Sequence, residues 1–146
     1  MPDESSLEAI QAVVEAIAPA TNGRPGAADL GVHRHVADSI DRAFPGFVDM
    51  LVMLLDAYGG EVRAGARFAD LTVQERGQVL RSMVREETQD MQELVGALFL
   101  FTYGGMYSEW TGYDRTTGRL DPPAVWEELG YRGPVAGSPG YREEGG

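Results

Sequence analysis

The chain contains no lysine and no cysteine, and only 2 histidines. Each absence removes a class of chemistry. Without lysine there is no Schiff base, no pyridoxal anchor and no P-loop lysine. Without cysteine there is no disulfide framework, thiol nucleophile or thiolate metal site. Positive charge is also scarce, with 12 arginines against 23 Asp and Glu and a formal charge of −11. So acidic a chain repels phosphate backbones, which argues against nucleic acid as a partner. Long apolar runs are missing too. The cleanest, residues 94–101, falls far short of the roughly 20 residues that span a bilayer. A second, residues 47–58, is interrupted by Asp49 and Asp56. The opening Met1-Pro2-Asp3-Glu4-Ser5-Ser6 carries acids where an export signal would carry Arg or Lys. The expectation is a soluble cytoplasmic protein with no direct membrane insertion.

What is present reads as one domain over residues 1–146, with a helical core at about 5–103, an aromatic-rich arm at 104–134 and a flexible tail at 135–146. The apolar period of the core is helical throughout. Leu7, Ile10, Val14 and Ile17 form a first stripe, opened by a capping box of Ser5 with Glu8 and stopped by Pro19. After a turn-rich connector, Asp29 is the expected N-cap of a second helix that turns Val32, Val36, Ile40 and Phe44 inward. Pro45-Gly46 breaks it, and Phe47, Met50, Leu51, Leu54, Leu55 and Tyr58 form a third stripe ended by Gly59-Gly60. Thr72 with Glu75 opens a fourth helix through Val79, Leu80, Met83 and Val84. A fifth runs from about Gln89 to Tyr103. Its second half is apolar all round, which predicts a central helix covered by neighbours. The fold class is therefore all-α: a small bundle of about five helices.

Residues 104–146 hold 10 of the 19 glycines and 4 of the 8 prolines, so no long helix persists there. One short helix is expected around 122–129, with proline in its first turn and Gly130 past its end. This irregular arm is not a polar linker. It carries Tyr107, Trp110, Tyr113, Trp126, Tyr131 and Tyr141, including both tryptophans, whereas disordered segments are poor in aromatics.

Catalytic signatures are hard to find. His33 and His35 lie two apart, which on a helix turns their rings to different sides rather than onto one metal. The pairs Glu86-Glu87, Glu127-Glu128 and Glu143-Glu144 read as solvated acidic faces. Asp114-Arg115-Thr116-Thr117-Gly118 lacks the further acids of a calcium loop. Neither a Gly-x-Ser-x-Gly elbow nor a Gly-x-Gly-x-x-Gly fingerprint occurs. No catalytic, cofactor-binding or metal-ligating residue is expected. The positive signal is aromatic. Tyr and Trp combine large contact area with a polar tip and are enriched at interface hot spots. Tyr103, Tyr107, Trp110, Tyr113, Trp126 and Tyr131 are accordingly the candidate partner-binding residues. Each ring has the competing option of packing back onto its own bundle.

Four stretches also carry a resemblance. They are Arg24-Pro25-Gly26-Ala27, then Gly65-Ala66-Arg67-Phe68-Ala69-Asp70-Leu71, then Thr102-Tyr103-Gly104-Gly105-Met106-Tyr107-Ser108. The fourth is Pro123-Ala124-Val125-Trp126-Glu127-Glu128-Leu129-Gly130-Tyr131-Arg132-Gly133-Pro134. In this order and spacing the chain resembles the gluconate 2-dehydrogenase subunit 3 family, the small or gamma subunits of sugar dehydrogenases. The resemblance implies a non-catalytic small subunit that helps a large subunit of the glucose-methanol-choline oxidoreductase type to fold. That partner would hold FAD and oxidise a sugar or sugar acid, while this chain would hold no cofactor. Exported members carry a twin-arginine signal; none precedes Leu7 in this sequence, which keeps the expected complex cytoplasmic. A free-standing helical module, using its aromatic arm to hold a carbohydrate or a protein, is the alternative.

Overall fold

The computed structural model describes residues 2–86, 88–107, 113–114, 116–120 and 124–130, with the backbone alone at 113, 114, 120, 124, 125 and 128. The chain divides into two compact units, Met1–Met106 and Tyr107–Gly146. The expected all-α class holds. The first unit is built from α1 (Glu4–Ile17), α2 (Val32–Ala43), α3 (Phe47–Val62), a 3-10 turn (Phe68–Asp70), α4 (Val73–Arg85) and nearly all of α5 (Gln89–Tyr107).

Helix ends show where local sequence sufficed and where it did not. The Thr72 hydroxyl accepts from the Glu75 N–H at 3.2 Å, and the Glu75 carboxylate accepts from the Thr72 N–H at 2.8 Å. That is the expected capping box. At α1 the expected Ser5–Glu8 box gives way to Asp3, whose carboxylate accepts from the Ser6 N–H at 2.7 Å. A charged acceptor is the stronger cap for the positive end of a helix. At α2 the expected cap Asp29 is used elsewhere. Its carboxylate accepts from the Gly26 N–H at 2.9 Å, and the helix starts after Gly31, which takes a left-handed φ of 71°. Gly59-Gly60 does not end α3, which continues to Val62. Gly59 allows a close approach instead: a Cβ there would lie 3.3 Å from the Phe68 backbone nitrogen.

α1 sits at the centre, packed against α2, α3, α4 and the 3-10 turn. Ile10, Val13 and Val14 are wholly buried and meet Leu51, Leu55, Phe68, Val79 and Met83 in one core. Each such side chain stabilises the fold by about 1.5–3 kcal/mol. Three expectations about which side faces inward are corrected. Phe44 and Met50 are exposed, because α2 ends at Ala43 and the buried side of α3 runs through Val48, Leu51, Leu55 and Gly59. Val84 is also exposed, beyond the Val79, Leu80 and Met83 that α4 buries. The third correction is larger. α5 is not the covered central helix; Val95 and Leu98 join the core, but Phe99 and Leu100 remain 41% and 71% exposed. α1 buries Ser6, Ala9, Ile10, Ala12, Val13, Val14 and Ile17, a wider arc than the Val95, Leu98, Thr102 and Gly105 of α5, although α5 has the cleaner apolar run.

The motif around Phe68 is a structural lock. Phe68 is fully buried and its N–H donates to the Asp56 carboxylate at 2.8 Å. Arg76 then ties this turn to α1: one guanidinium nitrogen meets Glu15 at 2.6 Å and the other donates to the Ala69 carbonyl at 2.7 Å. In the second unit, β1 (Tyr113–Asp114) pairs antiparallel with β2 (Arg119–Leu120). Gly118, at a φ of 66°, helps to close this small hairpin, an element the sequence reading did not include. α6 (Ala124–Leu129) follows, and Gly130 is left-handed beyond its end as expected. The two prolines expected to open it lie outside the described residues.

Candidate interaction surface

Of the six aromatic candidates, two lie on α5. Tyr103 is 43% exposed; its ring abuts Phe99 with centroids 6.3 Å apart, and its hydroxyl donates to the Ile17 carbonyl at 3.3 Å. Tyr107 is exposed as well, and its backbone carbonyl accepts from the Trp126 indole N–H at 2.7 Å. Trp126 itself is only 8% exposed. Trp110 and Tyr131 lie outside the described residues, as does the side chain of Tyr113, whose backbone forms β1. The structure therefore brings Tyr103 into an open apolar face and buries Trp126.

Two further residues complete that face and were absent from the sequence-based candidates: Phe99 and Leu100. Their signal was legible. No charged residue occurs anywhere in residues 94–107 of a chain with a formal charge of −11. Apolarity on all sides was read as cover from neighbours, whereas Phe99, Leu100 and Tyr103 on one side are exposed.

Several polar groups elsewhere hold the fold together. Arg63 bonds Glu75 at 3.0 Å and the Asp70 carbonyl at 2.8 Å. Arg67 grips Asp70 through two nitrogens, at 3.0 and 3.2 Å, and these contacts, led by the side-chain hydrogen bond, hold the Asp70 carboxyl below its ordinary value. His33 and His35 on α2 are both held below the usual imidazole range, chiefly by burial. The Tyr58 phenol is pushed up to about 12, first by desolvation and then by its hydrogen bond to Glu86. Among the described residues, no three His, Asp or Glu side chains converge as a metal site requires. No single described helix is long and apolar enough to cross a membrane.

The family described as Gluconate 2-dehydrogenase subunit 3 matches residues 4–132. No match was found among curated proteins or among solved structures.

Proposed function

Because the chain belongs to the gluconate 2-dehydrogenase subunit 3 family, we propose that it is the non-catalytic, stabilising small subunit of a flavin-dependent oxidoreductase of the glucose-methanol-choline type. In this reading the large subunit binds FAD and oxidises a sugar or sugar acid, and this chain supplies a folded helical surface. The observation that carries it is the family match along almost the whole chain. The geometry supports it from another side. Arg63 and Arg67, beside and within the Phe68 motif, are occupied by Asp70, Glu75 and neighbouring backbone, while Phe99, Leu100 and Tyr103 of α5 offer exposed apolar contact area. The alternative of a free-standing carbohydrate platform draws less support, since Trp126, a ring it would use for stacking, is buried.

The test is co-expression with a flavin-binding oxidoreductase of the glucose-methanol-choline type from the same genome. A stable yellow complex is expected, with the large subunit losing solubility or flavin when expressed alone. A large subunit that folds, binds FAD and turns over sugar identically with and without this chain, and never co-purifies with it, overturns the proposal.

A further inference from the structure

α5 has two apolar sides, and only one of them packs its side chains into the core of the first unit. Val95, Leu98 and Thr102 face inward, with the Thr102 hydroxyl satisfied by the Leu98 carbonyl at 2.7 Å. Outward stand Gly96, Phe99, Leu100, Tyr103 and Gly104, all exposed. The spacing of three and four places them in one stripe along the helix. The stripe is preformed, because the Tyr103 hydroxyl bond to Ile17 and the ring contact with Phe99 hold both aromatics in place. Its shape is also defined: a Cβ at Gly96 or Gly104 would meet nothing within 4 Å, so the stripe has shallow dips at both ends and Leu100 standing between them.

Charge selects the occupant. α1, α2 and α4 set charged residues on their exposed sides, such as Glu8, Arg34 with Asp38, and Arg81 with Arg85. The α5 stripe has none until its N-terminal end, where Asp90 and Glu93 are exposed. A second copy of this chain would bring together two molecules of charge −11, and an anionic membrane surface would repel the same charge. A protein surface with an apolar centre and Arg or Lys at one edge satisfies both parts of the stripe. We propose that this outer face of α5 docks the catalytic subunit of the dehydrogenase, which meets Phe99, Leu100 and Tyr103 with an apolar helix or groove and Glu93 with a basic side chain. The inference rests on the accessory-subunit reading and adds to it the face and the chemistry of the partner.

The experiment measures binding of the purified chain to a flavin-binding oxidoreductase of the glucose-methanol-choline type from the same genome by titration calorimetry, with Leu100→Glu, Glu93→Arg and Met53→Glu variants. Met53, 74% exposed on α3, is the control for a charge added to another open apolar position. Exposure at position 100 lets the variant fold, which circular dichroism and a melting curve verify. Leu100→Glu is expected to weaken binding about thirtyfold or more, as loss of a hot spot does. Glu93→Arg should weaken binding and reduce its salt dependence, and Met53→Glu should bind within about threefold of wild type. If wild type binds and Leu100→Glu binds equally well, the face is wrong while the accessory reading stands. If wild type fails to bind, that reading falls and this proposal with it. A homodimer in sedimentation that Leu100→Glu dissolves assigns the face to a second copy and overturns the occupant.

Discussion

An alanine at position 26 would place its Cβ 2.5 Å from the Ala20 nitrogen, 2.8 Å from the Ala18 oxygen and 2.9 Å from the Pro19 carbonyl carbon. All three are backbone atoms, and the connector cannot easily swing aside to admit them. The Ala27 N–H donates to the Ala18 carbonyl at 2.9 Å, and the Gly26 N–H donates to Asp29 at 2.9 Å. Thr21 and Arg24 close the intervening loop through backbone bonds of 2.8 and 3.2 Å. Relief must therefore break part of this set. Overpacking in a rigid site costs about 1–3 kcal/mol, and the upper half of that range is expected for Gly26→Ala. In a chain of this length that lowers the melting temperature by roughly 4–12 °C. Gly60→Ala is the matched control: position 60 lies inside α3 with nothing within 4 Å of a Cβ. There alanine should stabilise by about 0.5–1 kcal/mol through backbone entropy. Urea unfolding followed by far-UV circular dichroism measures both. Equal midpoints for Gly26→Ala and wild type, or a shift of both variants in the same direction, would refute the close-approach account.

Arg76 is 11% exposed at its side chain and serves Glu15 and the Ala69 carbonyl together, so Arg76→Ala should cost about 1.5–3 kcal/mol by urea titration. Arg76→Lys should recover only part of this, because one ammonium lacks the fork that reaches both acceptors. Thr72→Ala removes the α4 cap and should cost about 1 kcal/mol by the same assay, whereas Thr72→Ser should be close to neutral. The histidines predict a pH dependence. His33 and His35 are held below 6.5 chiefly by burial, and the His33 Nδ1 has no hydrogen-bond partner among the described residues. The unfolded chain then binds more protons, so their contribution is complete above about pH 6.5 and is lost as pH falls through the folded values. The urea midpoint should decline over that interval, and a His33→Gln, His35→Gln double variant should flatten it; an unchanged slope would refute the burial argument.

Local chemistry was enough for much of this protein. The period of the apolar residues set the helix count, and the spacing of Thr72 and Glu75 set a cap, because both act within a turn or two of chain. Pro45-Gly46 and Gly130 marked real ends for the same reason. The absence of lysine and cysteine, and a charge of −11, limited the chemistry before any folding was considered. Tertiary structure decided matters that depend on what lies opposite. Asp29 is a good cap by type, yet it is drawn to the Gly26 N–H across the connector. Gly59-Gly60 looks like a stop and is instead where the Phe68 turn comes close. The hairpin between Tyr113 and Leu120 is too short to show an alternating pattern. Above all, residues 94–107 are apolar on every side, and hydrophobicity alone cannot say which side has a neighbour. Packing against α2, α3, α4 and the 3-10 turn put α1 at the centre of the core, and α5 was left with Phe99, Leu100 and Tyr103 facing out.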